Sequence, residues 1–483
     1  MASLQAAMVG FDITPRIHPQ FGAWGTTPSM TEIDMPLLAR CLCLEQDGRR
    51  LVWFGSDLIG EPVHGTDVLR DEVAEALGLR REQVIWSTSQ THSSGALPGS
   101  VMTGSSICDL SQPDPEFSAA ERQRFVAAYI AAGREAVERL QPVSIWAGRG
   151  RCDSVSYNRR FPMPTGGNKF SRHHAEGLQS GKPFDTTIGL VRFDDANGKT
   201  IGAIFNFCAH PATMILGRQV SPDYVGTARA FVEESLGGAP VMFCQGFLGD
   251  VNCYHIFGTP EQARRTGARL GKAAVETLPT LIPARSEPFH FTQKTVEVQC
   301  QPMPTRQEFE ALRTEWQAYV DELEHDPANT WFCGANLPEQ FTAEQKIATV
   351  ATNMKWIEEG LRMIEAGETP RTSLPITLGA VRIGDMAAVL SPGEIFTEIG
   401  MKIRARSPFV HTLVCGDTNG LFGYVATDTE IDRGGSGPDR NWKTVYMDGF
   451  RLPPAKGTAD LIVNTAVELL DVLHEGRNRS NQT

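Results

Sequence analysis

Four segments of this 483-residue chain place chemistry-bearing side chains directly after apolar runs. Val84–Thr88 leads into Ser89-Gln90-Thr91-His92-Ser93, and Ile201–Phe207 leads into Cys208-Ala209-His210-Pro211. Pro240–Gln245 is followed by Gly249-Asp250-Val251-Asn252, and Met386–Leu390 by Ser391-Pro392-Gly393-Glu394. In α/β sheets ligands bind beyond the carboxyl ends of strands. These four ends can deliver two imidazoles, a carboxylate and an Asp/Asn pair to one crevice. Two histidines and a carboxylate form a recurring zinc set that leaves a position open for water. Zinc lowers the pKa of that water to ~7, which makes hydroxide available at neutral pH. Each residue alone also has a plain reading, because a lone histidine at a strand end is commonly a structural hydrogen-bonder. No His-Glu-x-x-His motif is present.

The apolar runs read as strands. Leu51–Asp57, Val84–Thr88, Thr187–Phe193, Ile201–Phe207 and Pro240–Gln245 are continuous enough to be covered on both faces. Strands are expected again at Ile376–Ile383 and Met386–Leu390. Helices fall between them. Ser118 with Glu121 predicts a capping box before a helix reaching Leu140. Thr259, Pro260 and Gln262 place a cap, a proline at the first helical position and a box partner in order. Thr305 with Glu308 and Thr342 with Gln345 start two long polar helices, a hairpin inserted at about 303–370. A last helix is expected over Thr458–His474. The expectation is an α/β fold, a mixed β-sheet core covered by helices, with residues 1–483 as one domain. Three long Gly/Pro-rich stretches, Ala96–Pro115, Phe161–Pro183 and Asp428–Asn441, read as loops that bind ligand or wander on the surface.

Composition narrows the function. Apolar residues make up 41% and charged residues 21%, so a sizeable core is affordable. The net charge of −12 argues against a nucleic-acid or anionic-membrane partner. No stretch approaches the ~20 apolar residues of a membrane span. The first residues show no basic region followed by an apolar one, so no secretory signal is expected. Ten scattered cysteines without Cys-x-x-Cys suit reduced core thiols in a cytoplasmic protein.

The ordered motifs resemble the neutral (non-lysosomal) ceramidase superfamily. They run from Gly10-Phe11-Asp12-Ile13-Thr14-Pro15 through Ser56-Asp57-Leu58, Gln90-Thr91-His92-Ser93 and Tyr157-Asn158-Arg159 to the His210 segment. Asp223-Tyr224-Val225-Gly226, Gly249-Asp250-Val251, Pro392-Gly393-Glu394 and Gly423-Tyr424-Val425 follow in order. The resemblance implies a zinc site with His210, Glu394 and Tyr424 as ligands. Gln90 stands where the family has its first histidine, and the next histidine of that motif, His92, survives. His92 is then expected as a ligand or as a close acid/base; the other outcome is an altered or lost site. Asn252 stands where the family has its catalytic serine, so the serine mechanism does not carry over. Asn252 suits an amide donor to a developing oxyanion or a loop cap. Neighbouring Cys253 is a weaker candidate nucleophile. Arg159 matches a substrate-site arginine, and Tyr446 matches a second substrate-site tyrosine. The family's additional C-terminal immunoglobulin-like domain is not expected here.

The resulting expectation is a Zn2+-dependent hydrolase that uses activated water on an amide, ester or lactone bond of a small polar molecule. Two alternatives stay open: a metal-dependent lyase or epimerase acting on a hydroxy or sugar acid, and a non-catalytic binding protein that has lost its metal. The sequence is compatible with a homo-oligomer and does not name the substrate.

Overall fold

The computed structural model describes residues 2–17, 30–95, 115–163, 168–170, 180–215, 217–333, 335–337, 339–443 and 449–476. Its strands fall into three main sheets. The first runs, in spatial order, Val84–Thr88, Arg49–Ser56, Leu38–Gln46, Gln5–Asp12, Gln141–Pro142. The second runs Val241–Gln245, Thr200–Phe207, Thr187–Asp194, Ser144–Arg151, Ile282–Ala284. The third runs Phe289–Gln299, Ser373–Ile383, Met386–Leu390, His411–Cys415. The fold is mixed α/β, as expected, but the core is divided among three sheets rather than gathered in one.

Each main sheet is antiparallel except for one parallel pair at an edge. These pairs are Arg49–Ser56 with Val84–Thr88, Thr200–Phe207 with Val241–Gln245, and Met386–Leu390 with His411–Cys415. Parallel neighbours put their carboxyl ends at the same end of the sheet. The parallel edges also pack together. Trp53 and Ile85, Ile204 and Met242, and Leu390 and Cys415 share one buried cluster. Every residue of Val84–Thr88, Val241–Gln245 and Met386–Leu390 is buried, which explains their largely apolar character.

Helices cover the outer faces. Pro115–Glu138 lies on the first sheet, Tyr224–Ser235 and Pro260–Thr277 pack as a pair on the second, and Thr458–Glu475 covers the third. The predicted boxes at Thr259, Thr305 and Thr342 are all formed. Arg306–Leu323 and Ala343–Ala366 make the expected helical hairpin, which closes with Leu452 on a cluster around Phe309, Trp316 and Trp356.

Two expectations are corrected. The helix placed after Ser118 begins at Pro115, so Ser118 does not cap it. Proline suits a first helical position, and Glu121 is drawn to Arg124 and Arg16 instead. The stretch Asp428–Asn441 is not a loop throughout, because Asp428–Arg433 is a short helix. In the stretch Phe161–Pro183, Arg160–Pro162 pairs antiparallel with Asn168–Phe170. Most of Ala96–Pro115 lies outside the described residues.

Candidate functional site

The ends of the parallel edges are stitched together by main-chain and side-chain bonds. Thr88 N donates to Asp417 O at 3.1 Å, and Gly416 N to Gln245 O at 2.9 Å. The buried amide of Gln245 donates to Ser89 O at 2.8 Å and to Ala209 O at 3.0 Å. One glutamine thus ties the segment carrying Gln90 and His92 to the one carrying His210. Sequence reading did not single it out, since it appears only as the last residue of an apolar run.

His210 is 1% exposed and held twice by Val251. Its main-chain N–H donates to Val251 O at 3.0 Å, and its Nδ1 contacts the same oxygen at 2.8 Å. A carbonyl oxygen only accepts, so Nδ1 carries a hydrogen. In the neutral ring Nε2 then presents a lone pair, and it stands 2.8 Å from Glu394 Oε2. Two electron pairs facing each other at that distance call for a positive charge between them. A proton is one answer, but burial first and then the Arg159 charge push the His210 pKa down. Burial pushes Glu394 up, and the bond and charge of His210, together with Arg159 and Tyr424, bring it below the usual carboxylate value.

Tyr424 is brought alongside by pairing. Glu394 and Tyr424 are partners in a short parallel bridge, and Glu394 N donates to Gly423 O at 2.9 Å. The Tyr424 phenol lies beside Glu394, and burial followed by the Glu394 charge pushes its pKa well up. Arg159 closes the group. It is 6% exposed and donates to Asn252 Oδ1 at 3.0 Å, Gly249 O at 2.7 Å and the Tyr424 hydroxyl at 3.2 Å. Its neighbour Arg160 points into a separate buried cluster and binds Glu430 at 2.5 Å. Asp250 anchors the same corner, taking Thr397 N at 2.7 Å and Asn158 Nδ2 at 2.8 Å. Burial pushes Asp250 up to about 6.

His210, Glu394, Tyr424, Arg159 and Asn252 therefore meet. The Asn252 Oδ1 is occupied by Arg159, which leaves its amide nitrogen, beside the Tyr157 phenol, as the donor end. His92 comes close without bonding His210: the ring centroids are 5.9 Å apart and tilted by 34°. Gln90 is 2% exposed at a φ of 62°, and its Oε1 has no donor among the described residues. Tyr446 lies outside the described residues. Cys253 is buried against Thr213, and that burial pushes its thiol up to about 12, so it offers no thiolate at neutral pH.

One further residue was missed. Asp417, 1% exposed, follows the strand His411–Cys415 and sits against the Glu394 loop, its N–H donating to Gly393 O at 3.3 Å. Burial first, then the Glu394 charge, push its pKa well up. Its signal in the sequence is Cys415-Gly416-Asp417-Thr418-Asn419, a fifth polar segment behind an apolar run.

Among the described residues no three His, Cys, Asp or Glu side chains converge on one point. The convergence here mixes types: one imidazole, one carboxylate and one phenol. A cavity of about 640 Å³ lies elsewhere, lined by Arg49, His290, Phe291 and Leu473, and holds none of these side chains.

No family model matches the sequence, and no curated protein matches it. Solved structures do. Over its whole length the chain superimposes on neutral ceramidase from Pseudomonas aeruginosa, at a TM-score of 0.66 and 20% identity, covering 76% of that chain. A ceramidase complexed with C2 gives 0.66 and 19%, covering 77%. The fold is that of neutral ceramidase. At such identity the likeness establishes the fold alone. No helix among the described residues is long and apolar enough to cross a membrane.

Proposed function

We propose that this protein is a zinc-dependent hydrolase that cleaves an amide, ester or lactone bond of a small polar substrate. The observation that carries the reading is the His210–Glu394 contact, with Nδ1 locked on Val251 and Nε2 facing a carboxylate at 2.8 Å. A ligating histidine typically donates its other ring N–H to a carbonyl or carboxylate, which fixes the ring. His210, Glu394 and Tyr424 would hold the ion, in keeping with three protein ligands and an open position. When bound, zinc supplies Lewis-acid polarisation of a carbonyl and acidification of water. His92, partly exposed beside His210, is placed to move a proton. Arg159 orients a polar group of the substrate, itself held rigid by Gly249, Asn252 and Tyr424. The Asn252 amide faces charge developing on the carbonyl oxygen. These polar walls suit a small polar substrate. The nine free cysteines of the described residues, seven of them buried, suit a reducing compartment such as the cytoplasm.

The test is elemental analysis of protein purified without chelator, joined to a panel of soluble amides, esters and lactones. About one zinc per chain, lost in His210→Ala together with turnover, is the expected result. No bound metal and no affinity for added zinc would sink the metal reading and favour a binding protein. Turnover in heavy-oxygen water separates hydrolysis, which incorporates solvent oxygen, from elimination or epimerisation.

A further inference from the structure

Asp417 has no role in the reaction as described, yet its placement is unusual. Its side chain is 1% exposed, and neither carboxylate oxygen meets a hydrogen-bond donor among the described residues. Burying a carboxylate without a partner is costly, and chains that do so supply a cation, a proton or a metal. The charged neighbour Asp417 does have, Glu394, carries the same sign. Arg159 acts on His210, Glu394 and Tyr424, and serves Asn252 and Gly249 by direct bonds. The residue is also held firmly. Its carbonyl accepts from Thr88 N, its N–H reaches Gly393 O, and its φ is 43°, a left-handed conformation uncommon outside glycine, asparagine and aspartate. This strain sits at the junction of the segments that carry Glu394 and Gln90, where strained backbone tends to have a use.

We propose that Asp417 is a further anionic partner of a divalent cation seated at His210 and Glu394, supplying the second carboxylate charge that the buried ion requires. The proposal rests on the metal reading of the site. Charge balance is its logic. Without an ion, Glu394 has the Arg159 guanidinium near it, whereas the Asp417 carboxylate has no donor among the described residues. With a divalent ion, Glu394 alone leaves the buried corner strongly positive, and Asp417 reduces that excess. Asp417 need not join His210 and Glu394 at one point to do this. A carboxylate near a bound ion raises its affinity from outside the ligand set.

The experiment is calorimetric titration of Zn2+ and of Mn2+ into chelator-stripped wild type, Asp417→Asn and His210→Ala, with thermal melting before and after each addition. Asparagine keeps the shape and tolerates the left-handed backbone, so folding is preserved; Asp417→Ser repeats the test if it is not. Wild type is expected to bind one ion and to melt higher with it. Asp417→Asn is expected to bind at least tenfold more weakly, with a smaller rise in Tm. Equal affinity and an equal Tm rise in wild type and Asp417→Asn would overturn the role of Asp417 and leave the metal site standing. A wild type that binds neither ion would overturn the metal reading itself, and this inference with it.

Discussion

Asp57 and Asp417 are both nearly fully buried and both stand just past the end of a strand, but the protein treats them in opposite ways. Asp57 receives a two-pronged guanidinium, with Arg229 nitrogens at 2.7 and 2.8 Å, and Leu38 N–H at 2.9 Å. Its charge is matched and its lone pairs are used. Asp417 receives no donor among the described residues and stands beside another carboxylate. Asp223 lies between these extremes. Met214 and Tyr224 donate main-chain N–H groups to it at 2.9 and 2.7 Å, and burial still pushes it up to about 6. The lesson is that a satisfied buried acid marks architecture, while an unsatisfied one beside a second acid marks a place kept for something positive.

The comparison can be broken most sharply at Arg229. Arg229→Ala strands a buried carboxylate, and the expected loss is about 3–5 kcal/mol in urea unfolding. A loss under about 1 kcal/mol would mean that Asp57 is no better matched than Asp417.

Asp223 offers a pH-dependent test. Its folded pKa is raised, so the acid's contribution is present below the unfolded carboxylate range and is lost as pH rises through about 6. The destabilisation caused by Asp223→Asn should therefore shrink between pH 4 and pH 8, by about 2–3 kcal/mol. Paired urea titrations at the two pH values measure it, and an unchanged difference would show that Asp223 is not held protonated.

A subtler change is Arg229→Lys, which keeps the charge and loses the fork. It should cost about 1–2 kcal/mol, because an ammonium cannot serve both oxygens in one plane. The smallest effect is expected at Asp417. In metal-free protein, Asp417→Asn should unfold within about 0.5 kcal/mol of wild type or slightly above it, since its carboxylate has no donor among the described residues to lose. A marked loss of stability in that form would give Asp417 a structural partner and erase the contrast.

Much of this molecule can be read from residue types in order. The strands Val84–Thr88 and Met386–Leu390 have the predicted bounds, because full burial leaves a largely apolar run. The boxes at Thr259, Thr305 and Thr342 are local chemistry within four residues and need no tertiary context. The same rule misleads at Ser118, where distant Arg16 competes for Glu121. His210, Glu394, Tyr424, Arg159 and Asn252 could be named in advance, since each follows an apolar run or sits in a recognisable motif. Gln245 could not, because a glutamine ending a strand is ordinary in itself, and Asp417 was marked only by standing in a fifth polar segment behind an apolar run.

The sequence by itself determined which segments are strands and helices and which polar residues stand at their ends. Apolar periodicity states that a face is buried, and it does not say against what. Only the tertiary structure decided that three sheets meet along their parallel edges, so that residues over 200 positions apart, His210 and Asp417, share one corner. Whether a buried carboxylate is matched is likewise a property of long-range neighbours. Arg229 reaches Asp57 across 172 positions, and nothing comparable among the described residues reaches Asp417.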